Sequence, residues 1–345
     1  MTSLPEKVSV LTALFLFLMI SLIYIGNQGS KFQIVTSPGA PPLKELQVKG
    51  IDLLERAVFI ERQDRLQREC QTYKRRQNAL QLNVSHYTPE AIWDNKEVLD
   101  HIIVDQKHQL LYCYVPKVAC TNWKRTLLYL SGSTNVTKPI DIPSDYVHRT
   151  GVFPKLSNFS EEHAAHMLKT FTTFLIVRHP FERLLSAYRN KLEQKSSSSK
   201  YFQTRIGRHI IKTYRKNPSN HSLQYGHDVT FSEFATYLGT ENGPGGEYNE
   251  HWKPIHQLCA PCAIRYDIIG KYETLYDDAD YLLHQLGEPT SAFPRYAHPS
   301  NTTATLGKYF GTLSVDLLRK MYSVYETDFR LFGYNLQEFL GFEID

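Results

Sequence analysis

Three short apolar runs constrain the fold of this 345-residue chain more than any other feature. They are 108–115 (HQLLYCYV), 173–177 (TFLIV) and 264–270 (IRYDIIG). Their length, and their content of Leu, Ile, Val, Tyr and Phe, read as buried strands rather than buried helices. Each gives way within a few residues to a helical pattern: one running to Leu130, one from about Phe181, one around 275–286. Strand, loop and helix repeated three times predict an α/β fold, a parallel sheet flanked by helices. The globular part spans 93–345, a suitable size for one domain, and 22 Tyr, 18 Phe and 3 Trp supply large side chains for its core.

The N-terminal part reads differently. Residues 8–25 carry no charge and are rich in Leu, Ile, Phe and Val, long enough for one membrane span. No small-residue cleavage site ends the run, so an uncleaved signal-anchor is expected, with 1–7 as a cytoplasmic tail. Everything downstream then faces a lumen. Five sequons agree with that side of the membrane: Asn83, Asn135, Asn158, Asn220 and Asn301. Residues 26–92 read as a stem, extended where Pro and Gly cluster and helical over 51–82. That helix is heavily charged with sparse apolar positions, which predicts a solvated helix or a short coiled coil.

Two segments suit anion binding. Lys117-Val118-Ala119-Cys120-Thr121-Asn122-Trp123 lies where the first run turns into a helix, so successive backbone N–H groups can converge on one anion, with Lys117 and Thr121 as side-chain donors. It lacks the glycines of a nucleoside-triphosphatase loop. Arg178-His179-Pro180-Phe181-Glu182-Arg183-Leu184-Leu185-Ser186 repeats the plan: Arg178 ends the second run, Pro180 suits a first helical turn, and Ser186 follows two turns later.

These two segments, PKVACTNWKR and RHPFERLLSAYRNK, closely resemble the nucleotide-binding elements of Golgi carbohydrate sulfotransferases. The group includes the chondroitin, dermatan and N-acetylgalactosamine 4-O-sulfotransferases and the HNK-1 sulfotransferase. Further matching text is YNEHW at 248–252, LCAPC at 258–262, YDIIGKYETL at 266–275 and DFRLFGY at 328–334. LLYCYVPKVACTNWKR is most like the chondroitin 4-O enzymes, while Ala260-Pro261 and the LFGY ending lean to the HNK-1 branch. The resemblance implies a P-loop-like sheet and a Golgi membrane enzyme of single-pass, type II topology. It also implies 3′-phosphoadenosine 5′-phosphosulfate (PAPS) as sulfuryl donor. By analogy residues 117–123 cradle the 5′-phosphosulfate, and Arg178 to Ser186 hold the 3′-phosphate. A metal is not required, because a sulfuryl group carries less charge than a phosphoryl group.

Transfer to a sugar hydroxyl needs a cation at the leaving phosphate, for which Lys117 is expected, and a general base. His251, in the NEHW text, is the first choice, with His166 next; His179 is discounted, and Glu250 is a candidate orienting partner. His251, His256, Cys259 and Cys262 have the right atoms for zinc but a compressed spacing, so a disulfide involving Cys259 or Cys262 is preferred, with one of the five cysteines left over.

Net charge is only +4, so any polyanion contact has to come from clustering. Residues 194–227 contain no Asp or Glu, and Arg205, Arg208, Lys212 and Arg215 fall at helical spacing, which predicts a basic face for a glycosaminoglycan acceptor. The expected reaction is 4-O-sulfation of N-acetylgalactosamine in chondroitin or dermatan. Sulfation of a terminal glucuronic acid or of N-glycan N-acetylgalactosamine is the alternative. A kinase-like phosphotransferase is disfavoured by the missing Walker glycines, and a non-catalytic glycan-binding protein by the paired nucleotide elements.

Overall fold

The computed structural model describes residues 50–79, 91–240, 248–295 and 305–336, and in it the three apolar runs lie side by side. Four strands, β1 (Ile102–Asp105), β2 (Leu110–Cys113), β3 (Thr172–Val177) and β4 (Ile268–Lys271), form one sheet in the order β1-β2-β3-β4. β3 pairs in parallel with β2 (Tyr112 opposite Phe174) and with β4 (Phe174 opposite Ile268). β1 is antiparallel to β2, which corrects the expectation of a wholly parallel sheet. Its sequence, IIVD, is too short to stand out, and the hairpin is closed by a side chain: His108 Nδ1 lies 2.6 Å from the Asp105 carboxylate. β2 and β4 also start later than expected: His108 and Gln109 form the turn before β2, and Asp267, just ahead of β4, accepts the backbone N–H of Thr173 with its side chain.

Seven helices of eight residues or more are described: α1 (Gly50–Ala79), α2 (Cys120–Leu130), α3 (Glu161–Thr170), α4 (Pro180–Tyr188), α5 (Phe231–Gly239), α6 (Leu275–Gln285) and α7 (Val315–Phe332). Side-chain hydroxyls cap several N-termini, as Ser160 does for α3, Thr230 for α5 and Ser314 for α7. The core on the sheet centres on stacked Tyr112 and Phe174, with ring centroids 4.5 Å apart and Trp123 of α2 packed edge-on at 4.9 Å. A second core, among the helices, buries Phe181, Leu184, Leu185, Phe234, Trp252, Phe310 and Phe329. The cleft described below is lined by residues that follow β2, β3 and β4.

The charged helix, α1, is not a solvated stem. Phe59, Leu66 and Cys70 are buried in the sheet's core, at offsets of seven and eleven residues that keep them on one helical stripe. Arg62 lies on the same stripe and donates to the Asp278 carboxylate (2.7 Å), the Ile269 carbonyl (3.0 Å) and the Thr274 hydroxyl (3.1 Å). Gln63 donates to the carbonyls of Tyr266 and Asp267. Half of this stripe is polar, so apolar periodicity underestimates it. The globular unit therefore includes α1, ahead of the boundary expected at residue 93.

Two disulfides lock the arrangement: Cys70–Cys262 ties α1 to the segment before β4, and Cys113–Cys259 ties the end of β2 to the short helix Ile255–Cys259. Cys259 and Cys262 are thus in disulfides and not held for a metal, and Cys120 is the odd thiol, buried. The proposed anchor at 8–25, with Asn83 and Asn301, lies outside the described residues. Among the described residues no helix is long and apolar enough to cross a membrane. Asn135, Asn158 and Asn220 are exposed.

Candidate active site

β2 ends at Cys113, and the loop 114–119 delivers the chain to α2. Two residues without the freedom of glycine, Lys117 (φ 74°) and Ala119 (φ 65°), sit there in the left-handed region. Such backbone strain persists only where surrounding contacts hold it, and functional loops are a common place for it. Ala119 is the N-cap of α2 and provides no side-chain cap, so the positive end of the helix is left for an incoming anion. Thr121 Oγ1 is 2.9 Å from His148 Nε2, which fixes that hydroxyl at the mouth of the turn. Burial, with the charges of Lys191, Arg178 and Arg183 acting in the same direction, lowers the Lys117 pKa to about 8. The ammonium is still mostly protonated at neutral pH, in a place that an anion would stabilise.

β3 runs straight into Arg178, and α4 starts at Pro180. Arg178 is 2% exposed; its Nε and Nη2 donate to the Glu182 carboxylate (3.3 and 3.1 Å), and Nη1 donates to the Lys117 carbonyl (3.3 Å). The guanidinium also lies 4.1 Å from the centre of the Tyr272 ring. It therefore links the two anion elements and keeps donors to spare toward the cleft. Ser186, two turns along α4, lines the same cleft.

Arg183 corrects an expectation. Rather than facing a ligand, it is fully enclosed, with donors to three backbone carbonyls: Pro116 (3.0 Å), Lys253 (2.7 Å) and Glu250 (2.8 Å). It fastens the anion loop to the segment that carries His251. Val118, Trp123, Phe181, Leu184 and Leu185 are likewise core residues, each no more than 1% exposed. Pro180 begins α4 from a buried position, His179 packs edge-on against Phe329 and Tyr334, and Glu182 is the partner of Arg178. None of these nine residues lines the cleft; Lys117, Ala119, Cys120, Thr121, Asn122, Arg178 and Ser186 do.

The cleft has a volume of about 1050 Å³, enough for a nucleotide and part of a sugar. His251 lies on its wall. Its Nδ1 is 2.8 Å from Asn249 Oδ1, whereas Glu250, the expected orienting partner, is 3.8 Å away and closer to His101 Nε2 at 3.3 Å. Burial, reinforced by Lys191, Lys117 and Arg183 and opposed by Glu250, lowers the His251 pKa to about 3, so the ring is neutral across the physiological range. Burial acts against the Glu250 charge, but His101 and His251 outweigh it and bring that carboxyl to about 2. His166, the second choice for a base, is exposed on α3 and does not line the cleft.

The expected basic face is not one face. A π-helical turn at Gln203–Gly207 interrupts the helix, and Arg215 follows its last turn in extended conformation. Arg215 is bound to both Glu233 (2.6 Å) and Asp228 (2.7 Å), acids that lie just beyond the acid-free stretch. Arg208 donates to the Leu223 carbonyl, and Arg205 is stacked on Tyr201.

Several cleft residues carry no signal of their own in the sequence. His148 sits in an irregular connection without periodicity, and Lys191 is brought in by a π-helical turn at Arg189–Glu193 that continues α4. Tyr272 and Tyr276, after β4, line the cleft as well.

Residues 100–335 match the family model described as "Sulfotransferase family". Among curated proteins, carbohydrate sulfotransferase 11 of Rattus norvegicus is 43% identical over 245 residues, 70% of this chain and 69% of its own. Carbohydrate sulfotransferase 14 of Danio rerio is 42% identical over 257 residues, covering 72% and 67%. Carbohydrate sulfotransferase 10 of Homo sapiens is 36% identical over 300 residues, covering 84% and 79%. No solved structure matches. The matched region holds the whole sheet, both anion elements and His251, and on that ground the chain belongs to the sulfotransferase family, as an enzyme that transfers sulfate.

Proposed function

We propose that this enzyme moves the sulfuryl group of PAPS to the 4-hydroxyl of N-acetylgalactosamine in chondroitin or dermatan chains, in the Golgi lumen. The observation that carries the reading is one cleft shared by an uncapped helix N-terminus with Lys117, by Arg178 and Ser186, and by a neutral histidine. These residues fit a donor with anionic groups at two positions. The acceptor assignment rests on the likeness of LLYCYVPKVACTNWKR to the chondroitin 4-O enzymes. Arg205, Arg208 and Lys212 stay exposed and are proposed as outlying contacts for a polyanionic chain; Arg215 is withdrawn from that set.

In the proposed mechanism, α2 and Lys117 hold the phosphosulfate, and Arg178 with Ser186 holds the 3′-phosphate. His251 Nε2 takes the proton of the acceptor hydroxyl as its oxygen bonds to sulfur. The bond from sulfur to the bridging oxygen breaks, its electron pair stays on the phosphate, and Lys117 stabilises that charge. No step requires a metal.

The test is incubation of the soluble enzyme with sulfur-labelled PAPS and a panel of desulfated glycans. Label in the 4-position of N-acetylgalactosamine is the expected result. No transfer to any acceptor, with phosphorylation from ATP instead, would overturn the reading.

A further inference from the structure

Where Tyr114 and Lys124 line the cleft, with Lys155 behind them on the β1 flank, two ammonium groups share one aromatic ring. Lys124 Nζ is 3.8 Å and Lys155 Nζ 4.1 Å from the centre of the Tyr114 ring, against which His101 is also stacked at 4.7 Å. Among the described residues neither lysine is ion-paired, and Glu250 and, for Lys155, Asp100 act on them only from a distance. Lys124 is 6% exposed, and its nearest described polar contact is His148 Nδ1 at 3.4 Å. Glu250 is the acid of this corner, and it is already at ion-pair distance from His101. Asp100 accepts the Ser157 hydroxyl. Burial lowers the pKa of both lysines, Lys155 to about 8 with Lys124 adding to the shift.

The position is fixed by backbone, not by loop flexibility. Lys155 forms a bridge with Ile103 of β1, Val104 N–H donates to the Pro154 carbonyl, and Lys155 N–H donates to the Asn158 side chain. Tyr114 follows β2 and bonds the carbonyl of His101 through its own N–H. In the sheet order, β1 stands two strands from β3, a separation of about 10 Å. Lys155 stands on the β1 flank and Arg178 at the end of β3, so Lys155 is not part of the Arg178 element. Glu250, which acts on both lysines, is the chain neighbour of His251.

We infer that Lys124 and Lys155 are the residues that read the acceptor's hexuronate, by holding its carboxylate next to the sugar being sulfated. This rests on the acceptor proposed above and names the residues that would select it, because an uncharged neighbour leaves two desolvated ammonium groups unmatched.

The experiment compares unsulfated chondroitin with the same polymer after carboxyl reduction, using the full enzyme and the Lys155→Gln and Lys124→Gln variants. Calorimetry with an unsulfated chondroitin hexasaccharide in the presence of 3′-phosphoadenosine 5′-phosphate reads binding without turnover. The wild type should lose tenfold or more in KM on carboxyl reduction. Lys155→Gln should lose a similar factor on native chondroitin, show no further loss on the reduced polymer, and retain its affinity for the nucleotide. Equal losses on native and reduced polymer, or an unchanged KM, would overturn the subsite. Absence of turnover with every acceptor, alongside charge-dependent hexasaccharide binding that Lys155→Gln removes, would overturn the catalytic reading and leave the subsite standing.

Discussion

The side-chain oxygen of Asn249 faces two donors of a single residue, the backbone N–H of His251 at 3.1 Å and its ring Nδ1 at 2.8 Å. A backbone N–H can only donate, so the atom facing it is the amide oxygen, and the ring nitrogen beside that oxygen has to carry a proton. The neutral ring then has its lone pair on Nε2, the form a base at the cleft requires. Asn249→Ala should release this tautomer and lower kcat about tenfold or more, within the range that general-base catalysis contributes. Nitrogen NMR of the labelled imidazole gives the tautomer directly; an unchanged Nδ1–H signal in the variant would disprove the role of Asn249.

The low His251 pKa moves the expected pH profile. A base with a pKa of about 3 is available throughout the neutral range, so the acidic limb due to His251 should lie far below the ordinary histidine value of about 6.5. Asn249→Asp places a carboxylate beside the ring N–H and should shift that limb upward. A limb at the same pH in both enzymes would assign it to another group.

Acid stability follows from the same kind of burial. Burial first, with nearby cations, lowers His148 and His179 to about 4 and His251 to about 3. Unfolded, each titrates near 6.5, so between those values the unfolded chain binds more protons. The stability these rings contribute is complete above about pH 6.5 and is lost as pH falls toward 4. The unfolding midpoint should therefore drop between pH 7 and 4.5, less so in His148→Gln. A flat midpoint over that window would show that the rings are not held neutral.

Neighbouring arginines should fail in different ways. Arg183→Met leaves three carbonyls without their donor, at about 1–3 kcal/mol each, and should be read in urea unfolding as a stability loss of several kcal/mol. Arg178→Gln should instead weaken binding of 3′-phosphoadenosine 5′-phosphate by about 10- to 100-fold while leaving 5′-AMP nearly unaffected, as expected for a lost charge-assisted bond. Equal losses for the two nucleotides in calorimetry would show that Arg178 does not read the 3′-phosphate.

Arg62 reaches from α1 to Asp278 and Thr274, and Thr274 borders the cleft. Arg62→Ala should cost about 3 kcal/mol by leaving a buried carboxylate without its cation, and should raise the donor KM more than it lowers kcat. A donor KM equal to that of the wild type would separate α1 from the site.

The strands, and the two strand-to-helix turns whose Lys117 and Arg178 line one cleft, were legible because their signal is local: a run of apolar residues, then Lys117 or Arg178, then a helix. Within 178–186, helical periodicity sorts Leu184 and Leu185 from Ser186, but the sequence does not say that Arg183 is satisfied by carbonyls up to 70 residues away. The burial of α1 was hidden for a related reason, since Arg62 and Gln63 look like solvated residues until their partners near residue 270 are known. Arg215 shows the reverse error. A stretch without acids invites a free basic face, yet the chain folds back so that Asp228 and Glu233 meet it.

The Cys70–Cys262 bond changes what a proteolytic cut means for this protein. A nick between α1 and Ala91 yields two polypeptides that remain one molecule, because the shorter piece stays bound through sulfur to the segment before β4. Such a product runs as a single species until it is reduced. A single cut therefore frees the fold from the residues before α1 only when it falls ahead of Cys70.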